Sequence, residues 1–234
     1  MKKIIQTLTL RRVMAAEMLW AALLGVYVIV VLFATKLPYN AMIRRDMEHI
    51  RAVYYNRKLV HVFAGGAISF VIPYVFTSPL YPFICGLLFT LFIGSCHWFG
   101  FRLTWFQTEE NQNDVKFALM WFLSISALWW LFDDPWLAIM PSLFMAFGDG
   151  ITGVVRNRVV RHRSKHPIGN VFMFIVSAPL GYLCGFMADG DYQWWGVFAV
   201  SIATLVERYE FGPIDDNILI TLAASVVILL SLLV

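Results

Sequence analysis

The sequence predicts an all-α, polytopic integral membrane protein with about eight transmembrane helices, and three observations carry that prediction. Hydrophobic residues make up 60% of the 234 positions and charged residues only 14%, a balance that a water-soluble domain of this size cannot bury. The apolar residues fall into runs of roughly 17 to 25, the length that crosses a bilayer. Lys and Arg collect in alternate connecting loops, the asymmetry that orients membrane proteins. A mean hydropathy of +0.70 agrees with all three.

The predicted spans are 14–35, 59–77, 80–101, 116–132, 135–155, 170–188, 193–210 and 217–234. Met1 to Arg12 is basic, but the apolar run after it is too long for a signal peptide and carries no cleavage site, so it reads as a retained first span. Residues 37–57 mix Met and Ile with Arg44, Arg45, Asp46, Glu48 and Arg51, the pattern of an amphipathic helix lying in the interface. The loops at 78–79, 133–134 and 189–192 lack Lys and Arg, whereas those at 36–58, 102–116 and 156–169 hold most of them. From the second span onward the basic loops, and any site built on them, are therefore expected in the cytoplasm. No internal repeat divides the chain. It reads as a single membrane-embedded domain, 1–234, with 1–55 as first span plus interfacial helix and 56–234 as core.

The net charge of +3 does not imply nucleic acid, because the basic residues lie in short loops. Cys85, Cys96 and Cys184 sit in apolar runs without CxxC spacing, so neither a disulfide framework nor a thiolate metal site follows.

Four constellations can carry chemistry. Arg57, Lys58 and His61 share a helical face at the mouth of the second span; they suit phosphate binding with His61 as proton carrier, or form a basic snorkelling collar. Glu109 to Asp114 is an acidic run that reads as a solvated loop. Phe147 to Asn170 places Gly148-Asp149-Gly150, Thr152 and Gly153 ahead of Arg156, Arg158, Arg161, Arg163 and Lys165, and closes on Gly169-Asn170. An acid at membrane depth is costly and usually functional, glycine admits a close neighbour, and clustered arginines suit phosphate; helix pairing and a positive anchor are the plain alternatives. Glu207, Glu210, Asp215, Asp216 and Asn217 supply more acids and an amide than the capping of one helix needs, and a divalent-cation site explains the excess. Three of the four open on one face, which points to nucleotide and metal chemistry on a lipid head group.

These residues resemble the CTP-dependent polyprenol kinases, a family that includes dolichol kinases, phytol kinases and CTP-using diacylglycerol kinases. The resemblance rests on Arg57–His61 (RKLVH), Phe147–Gly153 (FGDGITG), Lys165 with Gly169, and Glu207 followed by Asp215-Asp216-Asn217, in matching order from Asn56 onward. It implies transfer of the γ-phosphoryl group of CTP to the hydroxyl of a membrane lipid alcohol, with Mg²⁺ or another divalent cation. By position it implies catalytic roles for Asp149, His61 and Lys165. Nucleotide or phosphate contacts fall to Arg57, Lys58, Gly148, Gly150, Gly153, Arg161, Arg163, Gly169 and Asn170, and metal contacts to Asp149, Glu207, Asp215, Asp216 and Asn217. The chain departs from the family's pattern at Thr152, Asn157 and His166-Pro167, positions that bear on the loop's grip on the nucleotide.

Expected partners are a lipid alcohol, a nucleotide and membrane lipids; the oligomeric state is not fixed by sequence, and a homo-oligomer is compatible with it. The expected location is the cell membrane, or the endoplasmic reticulum in a eukaryote. Two other functions use the same materials: a CTP:phosphatidate-type cytidylyltransferase, which releases pyrophosphate, and a cation- or proton-coupled transporter.

Overall fold

The computed structural model describes residues 2–160, 166–209 and 214–233, with the side chains of 2–8 and 160 outside that description. The described residues form helices joined by loops: α1 (Lys2–Ala34), α2 (Lys36–Ile43), α3 (His49–Val60), α4 (Ala67–Val75), α5 (Leu80–Trp98), α6 (Asn113–Phe132), α7 (Pro135–Leu143), α8 (Asp149–Val160), α9 (Ile168–Met187), α10 (Gln193–Val206) and α11 (Asp216–Leu230). Two widened π segments, His61–Gly66 and Phe144–Gly148, join α3 to α4 and α7 to α8 without a break. Among the described residues, seven continuous helices are long and apolar enough to cross a membrane: Thr9–Ile43, His49–Val75, Leu80–Trp98, Asn113–Phe132, Pro135–Val159, Ile168–Met187 and Asp216–Leu233. That architecture is consistent with a membrane protein.

Three predicted boundaries move. The seventh apolar run is shorter than 193–210: α10 stops at Val206, because the segment after it turns polar at Glu207 and Arg208. The amphipathic stretch 37–57 is not one interfacial helix. It breaks near Asp46, which takes a left-handed φ of 56°, and His49 onward belongs to the second long helix. Arg57 and Lys58 thus lie well inside a helix rather than at its mouth. The fifth helix runs past 155 to Val160, so Arg156 and Arg158 stand on α8 and not in a loop.

The α7–α8 helix forms the centre. Leu137 to Ala146 is buried without interruption, and α6, α9 and α11 pack around it. A continuous apolar run is what a helix surrounded on all sides requires. Its start is well specified. Asp133 ends α6 in the left-handed conformation, Asp134 Oδ1 accepts from the backbone N–H of Trp136 at 2.7 Å and Leu137 at 3.1 Å, and Pro135 occupies the first helical position. An Asp cap followed by Pro is a strong helix start. Asp134 Oδ2 also accepts from the Asp189 N–H at 2.8 Å, tying the α9–α10 turn to the same end. Helices α9 and α10 cross so closely that a Cβ on Gly196 would stand 2.1 Å from the Gly181 carbonyl oxygen. Small residues at such crossings let backbones touch where lipid offers no hydrophobic drive.

Candidate functional site

The polar groups of the bundle converge where α10 ends and α11 begins. Asp149 is the first residue of α8, directly after the second π segment. Lys58 reaches it from α3 and donates to Asp149 Oδ2. Both side chains are at least nine-tenths buried. Tyr54, one turn earlier on α3, lays its ring 5.3 Å from the Lys58 ammonium, a cation–π contact.

Two further acids meet Asp149. Glu207 caps the C-terminal end of α10, Asp216 opens α11, and one carboxylate oxygen from each of the three lies within 4.8 Å of the others. Arg156 grips Glu207 with two parallel hydrogen bonds, Nη1 to Oε1 at 2.7 Å and Nη2 to Oε2 at 2.6 Å. It also donates to Asn170 Oδ1 at 3.0 Å and to the His166 carbonyl at 3.0 Å. Asn170 completes the ring by donating to Glu207 Oε2 at 3.3 Å and to the Thr204 carbonyl. Two cations therefore face three carboxylates in a space largely closed to water. A bidentate Arg–carboxylate pair fixes direction as well as charge.

His61 borders this cluster. It is 3% exposed, stacks on Phe117 with ring centroids 3.7 Å apart and planes inclined by 12°, and sets Nδ1 3.9 Å from Asp149 Oδ2. Neither ring nitrogen has a hydrogen-bond partner among the described residues. A buried polar group left without a partner is uncommon and calls for a cause, a catalytic role or a bound water among them.

The structure sorts the predicted site residues. Lys58, His61, Asp149, Asn170, Glu207 and Asp216 come together. Arg57 points elsewhere, donating to Asn111 Oδ1 at 2.6 Å. Asp215 is the cap of α11, accepting from the Ile218 N–H at 3.2 Å, with Lys116 at 3.6 Å; it is not among the three converging acids. Burial first, then the Asp216 charge beside it, push its carboxyl above the ordinary value, against the pull of Lys116. Asn217 is buried in the first turn of α11. The space left by Gly148, Gly150, Gly153 and Gly169 is taken up by protein: Ser177, Val62, Tyr54 and Arg156 respectively stand nearest. Those glycines serve helix packing around the acids. Arg161, Arg163 and Lys165 lie outside the described residues, as does Glu210.

Sequence reasoning missed two groups and misplaced a third. Arg156, read as one of the loop arginines, stands on α8, where Asp149, Thr152 and Arg156 repeat at helical spacing on one face. Asp114, read as part of a solvated acidic run, is instead buried and held by Gln107 at 2.6 Å and His97 at 3.1 Å; only tertiary packing reveals it. Tyr54 against Gly153 gave no signal at all.

Three carboxylates from separate helices are hard oxygen donors of the kind Mg²⁺ and Ca²⁺ take. One oxygen from each lies within 4.8 Å of the others, slightly wider than the roughly 4.2 Å between opposite oxygens around Mg²⁺, so the three are a group that could hold such an ion after a small inward shift. No family model, curated protein or solved structure matches the chain.

Proposed function

We propose that this protein is a membrane lipid kinase that moves the γ-phosphoryl group of CTP to the hydroxyl of an isoprenoid-type lipid alcohol. The observation that carries the reading is the convergence of Asp149, Glu207 and Asp216 within 4.8 Å, between Lys58 and Arg156, beside long apolar helices. Buried acids paired with buried cations are the materials of phosphoryl transfer, where catalysis is mostly positioning and charge stabilisation. The order of motifs along the chain supports the choice of CTP and of an alcohol acceptor.

In this reading carboxylates of the Asp149, Glu207 and Asp216 cluster would hold Mg²⁺, which would neutralise phosphate oxygens of the nucleotide. Lys58 and Arg156, which pair with Asp149 and Glu207, stabilise the charge of the transferred phosphoryl group in this reading; the motif resemblance assigns Lys165 to the same task. The lipid hydroxyl attacks phosphorus in line, the bond from phosphorus to the bridging β–γ oxygen breaks, and CDP leaves. A carboxylate of the cluster that is not holding the ion, Asp149 in this reading, takes the hydroxyl proton, and His61 orients that hydroxyl through its ring nitrogens. The products are a lipid monophosphate and CDP.

The test is phosphoryl transfer by detergent-purified protein given γ-labelled CTP, Mg²⁺ and a panel of phytol, geranylgeraniol, a long polyprenol and diacylglycerol. Labelled lipid phosphate with stoichiometric CDP is expected, lost on chelation and in Asp149→Asn and Asp216→Asn. Wild-type turnover in those variants overturns the residue assignment, release of pyrophosphate means cytidylyl transfer, and no labelled lipid from folded protein ends the kinase reading.

A further inference from the structure

A cavity of about 510 Å³ lies between α1, the α3–α4 helix, α5 and α6, within the roughly 300–1,000 Å³ typical of small-molecule sites. Its walls are apolar, with Leu32, Ile68, Cys85, Phe89 and Phe92 among them. Two polar residues, His61 and Asp114, stand among its lining at one end, and His61 Nδ1 lies 3.9 Å from Asp149 Oδ2. The other end is formed by Phe76 stacked on Tyr81, ring centroids 6.1 Å apart. There α1 is fastened down: Glu17 accepts from the Thr77 hydroxyl at 2.8 Å and the Tyr81 hydroxyl donates to the Met14 carbonyl at 3.3 Å. From His61 to Phe76 a helix covers about 22 Å, and lining residues run over that whole length, long enough for an extended chain.

A cavity with dry walls and one polar end fits an amphiphile with one polar end. Two observations make it more than a crevice that bulk lipid fills. His61 is buried, carries two unpartnered ring nitrogens and lines the cavity. The same residue adjoins the acid cluster, so the polar terminus of an occupant would arrive beside Asp149. Moving a hydrocarbon tail from bilayer to these walls gains little, because lipid is as apolar as the protein. Selection must then come from the terminal hydroxyl at His61 and from the cavity's shape.

We propose that this cavity is the tail site of a linear lipid alcohol, with the hydroxyl at His61 and the tail running toward Phe76 and Tyr81. The fate of the hydroxyl rests on the lipid-kinase reading above; the tail site does not.

The test is photolabelling of the full purified chain with geranylgeraniol-length alcohols carrying a diazirine either near the hydroxyl or at the tail end. Peptide mapping is expected to find the first probe on the His61–Phe117 region and the second near Ile72, Phe76 and Tyr81. Unlabelled alcohol should compete, and a hydrocarbon of equal length without the hydroxyl should not. Ala64→Phe, which fills the cavity, should cut labelling several-fold, while Phe174→Ala on an outward face of α9 should leave it unchanged. Equal labelling of outward faces such as Val171–Ile175, or competition by the plain hydrocarbon, overturns the proposal. Cavity labelling without phosphoryl transfer would remove the kinase and leave the tail site standing; phosphoryl transfer with labelling outside the cavity would do the reverse.

Discussion

The hydroxyl of Tyr54 occupies the space that a side chain on Gly153 would need: a Cβ there would stand 1.8 Å from it. Tyr54 is on α3 and Gly153 on α8, so this contact sets how near Lys58 comes to Asp149. Gly153→Ala must push the two helices apart, and overpacking of this kind costs roughly 1–3 kcal/mol. The expected result is a lower unfolding temperature in detergent, partly restored by adding Tyr54→Phe. A double-mutant cycle in which the two changes simply add would remove the contact as the cause.

Lys58 and Asp149 should behave as a unit. Removing one partner strands a buried charge, which costs about 3–5 kcal/mol. Lys58→Met and Asp149→Leu are each expected to lower stability sharply, and the double variant to recover much of it while remaining inactive. Thermal unfolding of the three proteins decides this; a double variant no better than the worse single one would rule out the coupling.

Arg156→Lys keeps the charge and loses the fork. The two bonds to Glu207, and those to Asn170 and the His166 carbonyl, cannot all be made by one ammonium. A hydrogen bond between charged groups contributes about 1.5–3 kcal/mol, so phosphoryl transfer should fall roughly 10- to 100-fold. Turnover within twofold of wild type would show that the fork has no part in positioning Glu207.

Such arrangements show how far the sequence could be read. Apolar run length gave the long helices, because a membrane-crossing element must satisfy its own backbone and its length is fixed by the bilayer. Asp149, Glu207 and Asp216 were legible one by one, as acids where acids are expensive. Their meeting was not, since it depends on where three helix ends fall in space. Asp215 and Asp216 show the limit most sharply: two adjacent acids look alike in sequence, yet helical geometry turns one into the α11 cap and the other toward Asp149. The glycines around Asp149 carried a true signal of close approach, but what approaches is Tyr54, Ser177 and Arg156.

The capping role of Asp215 predicts a particular pH dependence. Its carboxyl titrates higher in the folded protein than in the unfolded chain, so the folded state binds this proton more tightly. This group's contribution to stability therefore falls as pH rises above the unfolded value of about 3.9. Asp215→Asn keeps a competent cap and removes the titration. It should match or exceed wild-type stability at pH 7, with the difference narrowing as pH drops toward 5. A variant less stable at pH 7 and equal at pH 5 would reverse the sign and point to the Lys116 pair instead.

Mg²⁺ should stabilise the protein through the three acids. A ligand at a hundred times its dissociation constant adds about 2.7 kcal/mol, readable as a rise in unfolding temperature without any nucleotide. Asp216→Asn should abolish most of that rise, while Asp215→Asn should keep it. An equal response in both variants would place the ion elsewhere.

The two π segments, His61–Gly66 and Phe144–Gly148, pack against each other, and each amounts to one residue inserted into an α-helix. Such an insertion rotates everything beyond it by about 100° relative to an uninterrupted helix. On one side of the first stand Lys58 and His61 at the acids, on the other Ser69, bonded to Ser142 at 2.9 Å. A relative of this protein one residue shorter between His61 and Ser69 could not satisfy both ends with the same amino acids. Gaps placed there in future alignments will therefore divide chains that share this polar centre from chains that only share its helices.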